Sequence, residues 1–304
     1  MLASATSSSS SGALLTHSAS RWAFGTGFDD PLAGVDTALP HGVDGADLAT
    51  YCLMLADDAL SASQRLAQWS TRAPELEEEV ALANISLDLL GQARLLLTRA
   101  AAADPACVPA LPAGSPAPAE DALAFFRDEM AFRNVRLVEG DNGDFAHSMA
   151  RLLIFSTWRL ALLHRLQTSR DTVLAAVAAK GVKEVTYHRD HGARWVVTLA
   201  QGTDEARRRT ESGLAAQWPY VEELFATSDV ELRLVAVGVA VDPADVREEF
   251  VGVLAQVLAA AGLSTPDVPA ATGQSGRDGR HTEAMGLLLA ELQVVARAHP
   301  MGRW

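Results

Sequence analysis

Four side chains that can bind a metal ion interrupt the apolar faces of long helix-forming segments. They are Asp58, Asp88, Glu184 and His188, and the last two are four residues apart, so that they share one face of a helix. Carboxylates and imidazoles of this kind hold the metals in di-iron four-helix bundles. In those bundles two helices each give a carboxylate and the other two each give Glu-x-x-His. The chemistry to consider is therefore that of a di-iron oxygenase.

The ligand set is incomplete when the chain is compared with that template. The positions concerned are Asp58, Asp88, Gly91, Ser156, Glu184, Tyr187 and His188. Gly91 has no side chain to coordinate a metal, and Ser156 is a poor ligand for iron. Three carboxylates and one or two imidazoles remain, where the template needs four and two. We predict vestigial positions with no bound metal and no catalytic residue. His188 keeps a functional metal site open as the alternative.

Buried carboxylates without a metal need hydrogen bonds or a cation, because an unpaired buried charge is costly. Arg65 and Arg94 lie further along the first two segments, and Lys180 lies one turn before Glu184. The sequence therefore predicts a metal-free polar network inside the bundle, with these three cations as partners of the carboxylates.

The segments that must position these residues are long and helical in pattern. They cover residues 44–70, 74–103, 143–168 and 172–201, and Gly and Pro beside Asp or Thr separate them. These residues are typical of helix ends and caps. Ala and Leu are abundant and Ile is nearly absent, which favours helices over strands. We predict an all-α fold, a ferritin-like four-helix bundle with additional helices.

Three other segments carry predictions of their own. Residues 230–241 alternate polar and apolar side chains, which predicts a short strand or an extended arm. Residues 119–138 carry a mixed charged face that includes Arg127, and we expect this face to be solvated. The run His281-Thr282-Glu283 is typical of a helix start rather than of acid–base catalysis.

The segment 74–103 is apolar on two faces. One stripe consists of Leu76, Val80, Ala83, Leu87, Leu90 and Leu97. The other consists of Leu82, Ile85, Leu89 and Leu96. A helix that is apolar on two faces is buried on two faces. This helix therefore lies either at the centre of the domain or against a second protein.

Composition excludes several classes of function. The chain has 304 residues, a net charge of −13 and no basic cluster that could bind nucleic acid phosphates. Its longest apolar runs, such as residues 251–263, are shorter than the ~20 residues that span a bilayer. Cys52 and Cys107 are too few for a disulfide framework, and we expect Cys52 as a buried thiol. We expect a cytoplasmic protein that binds neither nucleic acid nor membranes.

The chain divides unequally. Residues 1–45 are rich in Ser and Gly and lack an apolar periodicity, so we predict a disordered extension there. Residues 46–304 are predicted to form one ferritin-like helical domain.

Four runs of sequence resemble one known family. They are PELEEEVALANISLDLLGQARLL, NGDFAHSMARLLIFSTW, VKEVTYHRDHGARW and HTEAMGLLLAELQVVARAHPMGRW. Together they resemble the PaaC-type subunit of the bacterial phenylacetyl-CoA epoxidase, also called ring 1,2-phenylacetyl-CoA monooxygenase. The resemblance extends from about Ala46 to Trp304. The glycine-rich residues 273–280 also match the family, although Ala284 and Met285 depart from its commonest form.

The resemblance implies a structural subunit of a multicomponent oxygenase, with a ferritin-like fold and no cofactor of its own. It implies a catalytic ferritin-like partner that holds the di-iron centre, a small subunit, and an NADPH-dependent reductase with FAD and an iron–sulfur cluster. The complex would bind phenylacetyl-CoA and convert it with O₂ to the ring 1,2-epoxide in aerobic phenylacetate degradation. The segment 74–103 would then pack against both the core and the partner. The alternative is an active di-iron oxygenase, or a ferritin-like metal-binding protein, in its own right.

Overall fold

The computed structural model describes residue 32 and residues 34–302, and this part of the chain contains helices and no strand. Short 3₁₀ turns separate some of its helices. The α-helices are α1 (Gly45–Ala67), α2 (Leu76–Ala103), α3 (Ala119–Phe125), α4 (Phe145–Leu166), α5 (Thr172–Ala200), α6 (Asp204–Gln217), α7 (Asp229–Ala236), α8 (Arg247–Ala261) and α9 (Glu283–Ala298). The prediction of an all-α fold is confirmed for these described residues.

The four longest helices, α1, α2, α4 and α5, form the bundle and match the four predicted segments. α1 packs along α2, and α4 packs along α5. The loops within each pair are short, so the two helices of a pair are antiparallel. A long connection over residues 104–144 leads from α2 to α4, and one long crossover of this kind is typical of ferritin-like bundles. Cys52 of α1 is a fully buried thiol, as predicted.

Aspartate side chains fix where three of the bundle helices begin. Asp44 caps α1, Asp144 caps α4 and Asp171 caps α5, and each accepts hydrogen bonds from backbone N–H groups of the first turn. These N–H groups have no partner within the helix. The caps stabilise the starts of helices that the sequence pattern had located.

Residues 230–241 do not form a strand or an extended arm, so that prediction was wrong. Residues Asp229–Ala236 form α7, which begins with a capping box between Ser228 and Glu231. Leu234 is 2% exposed, whereas Leu232 is 50% exposed. The alternating pattern therefore belongs to a short helix that buries one face, and the capping residues decide its conformation.

Residues 119–138 were wrongly predicted to present a solvated charged face. α3 ends at Phe125, and 3₁₀ turns follow it. Arg127 is buried and donates to both carboxylate oxygens of Asp57, with 3.0 Å between Arg127 Nη1 and Asp57 Oδ2. The backbone N–H of Arg133 donates to Asp57 as well, at 2.8 Å. Because a bidentate charged pair offsets the cost of burial, an arginine in a polar stretch lies in the core.

The residues just before α1 contact the bundle. Arg99 donates from Nη1 to the carbonyl oxygen of Thr37 at 2.6 Å, and the Thr172 hydroxyl donates to the carbonyl oxygen of Asp36. The rest of the predicted extension, residues 1–31 and 33, lies outside the described residues, as do residues 303 and 304. The domain boundary at residue 45 therefore stays a prediction.

Candidate functional site

Asp58 is fully buried and forms an ion pair with Arg277, which comes from a 3₁₀ turn before α9. Arg277 Nη2 lies 2.8 Å from Asp58 Oδ2, and Nη1 lies 3.1 Å from Oδ1. The backbone N–H of Val135 donates to the same carboxylate at 2.8 Å. Burial raises the pKa of Asp58, and the charge of Arg277 opposes this effect. Protein donors thus occupy both oxygens of this carboxylate.

The three cations that were expected as partners behave differently from one another. Lys180 forms the expected ion pair with Glu184. Arg65, by contrast, donates to backbone carbonyl groups, and Arg94 lies 3.4 Å from Glu120 of α3, so both predicted pairings were wrong. The side chains of the two arginines point toward the connection between α2 and α4 rather than toward the bundle axis.

Asp88 lies at the surface between α2 and α5. Its carboxylate is 37% exposed, and Oδ2 lies 3.0 Å from Nε2 of His188, whose side chain is 1% exposed. A Cβ atom added at Gly91 would meet nothing within 4 Å. Asp88 and Gly91 therefore share a side of α2 that does not face the bundle axis.

The remaining template positions are also separated. Ser156 is buried, and its hydroxyl donates to the carbonyl oxygen of Leu152 at 2.5 Å. Tyr187 is 44% exposed. The neighbouring His191 is buried, 3.1 Å from Glu78. Burial lowers the pKa of His191, and Glu78 opposes this effect. The structure does not bring these side chains together as one ligand set.

The interior holds a hydrogen-bonded chain of Arg159, Gln92 and Glu184. Arg159 Nε donates to Gln92 Oε1 at 3.0 Å, and Gln92 Nε2 donates to Glu184 Oε2 at 2.9 Å. Arg159 Nη1 donates to the carbonyl oxygen of Leu55 at 3.2 Å. Burial lowers the pKa of Arg159 to about 10, and the charge of Asp58 opposes this effect. Arg159 is therefore a cation at neutral pH, in the middle of four packed helices.

Sequence reasoning missed Arg159 and Gln92. The template directed attention to Asp88 and Gly91, but the next residue, Gln92, faces the interior and is 0% exposed. A signal was present in α4, because Arg159 is the one charged residue in the apolar stretch 152–163. A lone charge in such a stretch predicts a buried, paired side chain.

These residues do not fit a di-iron centre. Two iron ions need several carboxylates with free oxygen atoms, whereas here Asp58 is paired with Arg277 and the interior holds the guanidinium of Arg159. Within residues 32 and 34–302, no group of three or more His, Cys, Asp or Glu side chains is placed to hold a metal ion. Cations that belong to the chain compensate the interior carboxylates, and no catalytic step through a metal follows from this arrangement.

The helical region matches a known family along nearly its whole length. The family model described as phenylacetic acid catabolic protein matches residues 37–304. The chain belongs to this family. The PaaC-type subunit of 1,2-phenylacetyl-CoA epoxidase from Escherichia coli (strain K12) is 41% identical to the chain over 259 residues, which are 84% of this chain and 99% of that protein. The resemblance found in the sequence is confirmed, and with it the ferritin-like fold of the phenylacetic acid catabolic family.

This member of the phenylacetic acid catabolic family buries only one of the two apolar stripes of α2. The buried stripe consists of Leu82, Ile85, Leu89 and Leu96, none of them more than 2% exposed. The other stripe contains four side chains that are 40–72% exposed, Leu76, Val80, Leu87 and Leu90, which we call the α2 outer face. Apolar side chains grouped in this way are typical of an interaction surface.

By length and composition, α2 is also the one described helix that could cross a membrane. Its buried stripe packs in the core, and 44% of its most apolar stretch is buried. A core helix of a soluble protein passes the same test of length and composition. In this family member α2 is a core helix of a soluble enzyme subunit.

Proposed function

We propose that the chain is the structural, non-catalytic PaaC-type subunit of a phenylacetyl-CoA epoxidase. This complex converts phenylacetyl-CoA with O₂ and NADPH to the ring 1,2-epoxide in aerobic phenylacetate degradation. The observation that carries the proposal is the bundle interior, in which Arg159 and Gln92 stand among the side chains that face the axis. The 41% identity to the E. coli epoxidase subunit supports the same conclusion.

The polar interior supports a role in assembly, because it ties the helices together in one arrangement. The Asp58–Arg277 pair joins α1 to the turn before α9. The chain from Arg159 through Gln92 to Glu184 joins α4, α2 and α5. A bundle braced by such contacts holds α2 in a fixed position, which favours a stable contact with a partner.

The α2 outer face is the surface proposed to bind the catalytic di-iron subunit. Its four side chains run from Leu76 to Leu90, a span of about 21 Å along the helix. This length suits packing of α2 against a helix of a second bundle. Burial of apolar surface contributes about 25 cal/mol per Å², so this stripe is worth more in the complex than in the free chain.

The other components of the system belong to other chains. The di-iron centre is assigned to the catalytic subunit, and FAD and the iron–sulfur cluster to the reductase. The complex that binds phenylacetyl-CoA also includes a small subunit. The chain itself carries no cofactor, binds no nucleic acid and no membrane, and works in the cytoplasm. Its net charge of −13 supports the exclusion of nucleic acid.

Co-expression with the catalytic subunit tests the proposal. The two chains are separated, each is analysed for iron, and phenylacetyl-CoA epoxidation is assayed with the reductase present. We expect iron in the catalytic subunit and activity only when both chains are present, with the catalytic subunit alone as control. Stoichiometric iron in this chain after purification without chelator contradicts the proposal and favours a di-iron oxygenase in its own right.

A further inference from the structure

A groove of about 740 Å³ lies between α3 and α9, and it shares no residue with the α2 outer face. Its walls are mainly apolar and include Pro118, Phe125, Phe126, Leu292, Val295 and Pro300. Val295 is 54% exposed. Aromatic and aliphatic side chains in a concave surface are typical of the centre of a protein–protein contact.

One carboxylate lines this groove without a partner. Asp121 is half-buried, and no hydrogen bond or ion pair joins it to any residue that the structure describes. Burial raises the pKa of Asp121, and the charge of Glu120 adds to this effect. The nearby cation Arg94 is engaged by Glu120, at 3.4 Å.

Asp121 differs in this respect from the fully buried aspartates of residues 34–302. Each of those forms an ion pair with an arginine, Asp57 with Arg127, Asp58 with Arg277 and Asp171 with Arg99. A half-buried carboxylate gains stability from a cation, because the charge is attracted more strongly where water is partly excluded. The groove thus offers a site for a positive charge beside apolar surface.

The walls of the groove are held in place by hydrogen bonds. The Ser115 hydroxyl donates to the carbonyl oxygen of Pro300 at 2.7 Å. Gln293 of α9 donates to the carbonyl oxygen of Ala124 at 3.2 Å, and Arg297 donates to that of Phe125 at 3.1 Å. The groove is therefore formed before any partner arrives, and little conformational entropy is lost on binding.

We propose that the groove between α3 and α9 binds a segment of another subunit of the enzyme complex that presents a Lys or Arg beside large apolar side chains. The cation pairs with Asp121, and the apolar side chains pack against Phe125, Phe126 and Val295. The net charge of −13 favours an occupant of opposite charge over a second copy of the chain. The inference rests on the proposed function in one respect, that the chain works within an epoxidase complex.

A photo-crosslinking experiment tests this inference. The full chain, with p-benzoylphenylalanine in place of Val295, is co-expressed with the other epoxidase subunits, irradiated and analysed by mass spectrometry. We expect an adduct with a peptide of another subunit that contains Lys or Arg within a few residues of the crosslink. Adducts only with residues 303–304 of the same chain, or only with a second copy, overturn the inference.

The same probe at Leu87 separates the two proposals. An adduct at Leu87 without one at Val295 overturns the inference and leaves the proposed assembly in place. If neither probe reacts with another subunit, both proposals fail.

Charge variants test the role of Asp121. Asp121→Arg should lower the yield of the Val295 adduct at least tenfold, because it places like charges together. Glu248→Arg, the same change of charge at an exposed position of α8, should leave that yield unchanged. If Asp121→Arg fails to fold, Asp121→Asn keeps the size of the side chain and should lower the yield severalfold. Equal yields from wild type and Asp121→Asn overturn the assigned role of the carboxylate.

Discussion

Arg159 of α4 lies beside Gln92 of α2, with 3.0 Å between Arg159 Nε and Gln92 Oε1, and Gln92 in turn donates to Glu184 of α5. In di-iron bundles, metal ions hold the carboxylates of facing helices together. Here a guanidinium and an amide connect three of the helices. Because the compensating charge belongs to the chain, we expect the bundle to fold without loading of a metal.

Replacing Arg159 by Met tests this arrangement. The variant keeps an unbranched side chain but removes the buried cation, so Gln92 and Leu55 lose a charged donor. We expect the free energy of unfolding to fall by about 2–3 kcal/mol, measured by urea denaturation with circular dichroism. The matched control is Arg208→Met, whose parent side chain is 67% exposed on α6, and it should change stability by less than about 0.5 kcal/mol. Equal midpoints for the two variants would contradict the role of Arg159.

The Asp58–Arg277 pair should behave as one energetic unit. Arg277→Met leaves a fully buried carboxylate without its cation, and we expect a loss of about 3–5 kcal/mol in the free energy of unfolding. The double variant with Asp58→Asn should lose clearly less than the sum of the two single losses. Denaturant unfolding of all four proteins gives the coupling energy. Strict additivity would show that the two side chains do not stabilise each other.

The helices could be predicted from the sequence because their signals are local. Asp44, Asp144 and Asp171 stand directly before the apolar periodic stretches that they cap. The pairing of Asp58 with Arg277 joins residues 219 positions apart, and no local pattern connects them. The connection from α2 to α4 and the turn before α9 bring these groups together.

The side chains of the candidate site were harder to predict than the helices. A shift of one residue along α2 moves a side chain by about 100° around the helix, which decides whether position 91 or 92 faces the interior. Arg127 was expected in water because charged residues surround it in sequence, but Asp57 of α1 pairs with it in the core. Tertiary contacts determine whether a charge is buried, and spacing in one segment does not contain them.

The His281–Glu139 pair predicts a pH dependence of stability. Burial lowers the pKa of His281, but the hydrogen bond and charge of Glu139, 2.7 Å away, outweigh it and raise the pKa above its usual value. The protonated form therefore stabilises the fold. This contribution is fully present below about pH 6.5, the value for an unfolded chain, and is lost as pH rises through the raised pKa.

The variant His281→Gln isolates this effect. Its loss of stability relative to wild type should be largest below about pH 6.5 and should shrink at higher pH. Denaturant unfolding of both proteins across this range gives the difference. His164→Gln is the control, since His164 bonds only within its own helix end, to Gln167. A difference for His281→Gln that grows with pH would contradict the assigned pair.

Two glycines in helix interiors should respond in opposite ways to alanine. A Cβ atom at Gly192 would lie 2.9 Å from the backbone N of Leu153, so Gly192→Ala forces α4 and α5 apart. We expect a loss of about 1–3 kcal/mol in stability. Gly91→Ala meets open space and should gain about 0.5–1 kcal/mol, because Ala favours a helix. Thermal unfolding checks both values, and a loss in Gly91→Ala would show that the glycine itself is needed by the fold.

The α2 outer face should be needed for assembly and not for folding. Leu87 is 50% exposed in the free chain, so Leu87→Glu should leave helix content and unfolding unchanged. In the complex the glutamate would be buried in apolar surface, and we expect binding to the catalytic subunit to weaken about tenfold to a hundredfold. Isothermal titration with the purified catalytic subunit measures this. Val251→Glu, at a 54% exposed position of α8, introduces the same charge outside that face and should bind normally. If both variants bind as well as wild type, α2 is not the contact surface.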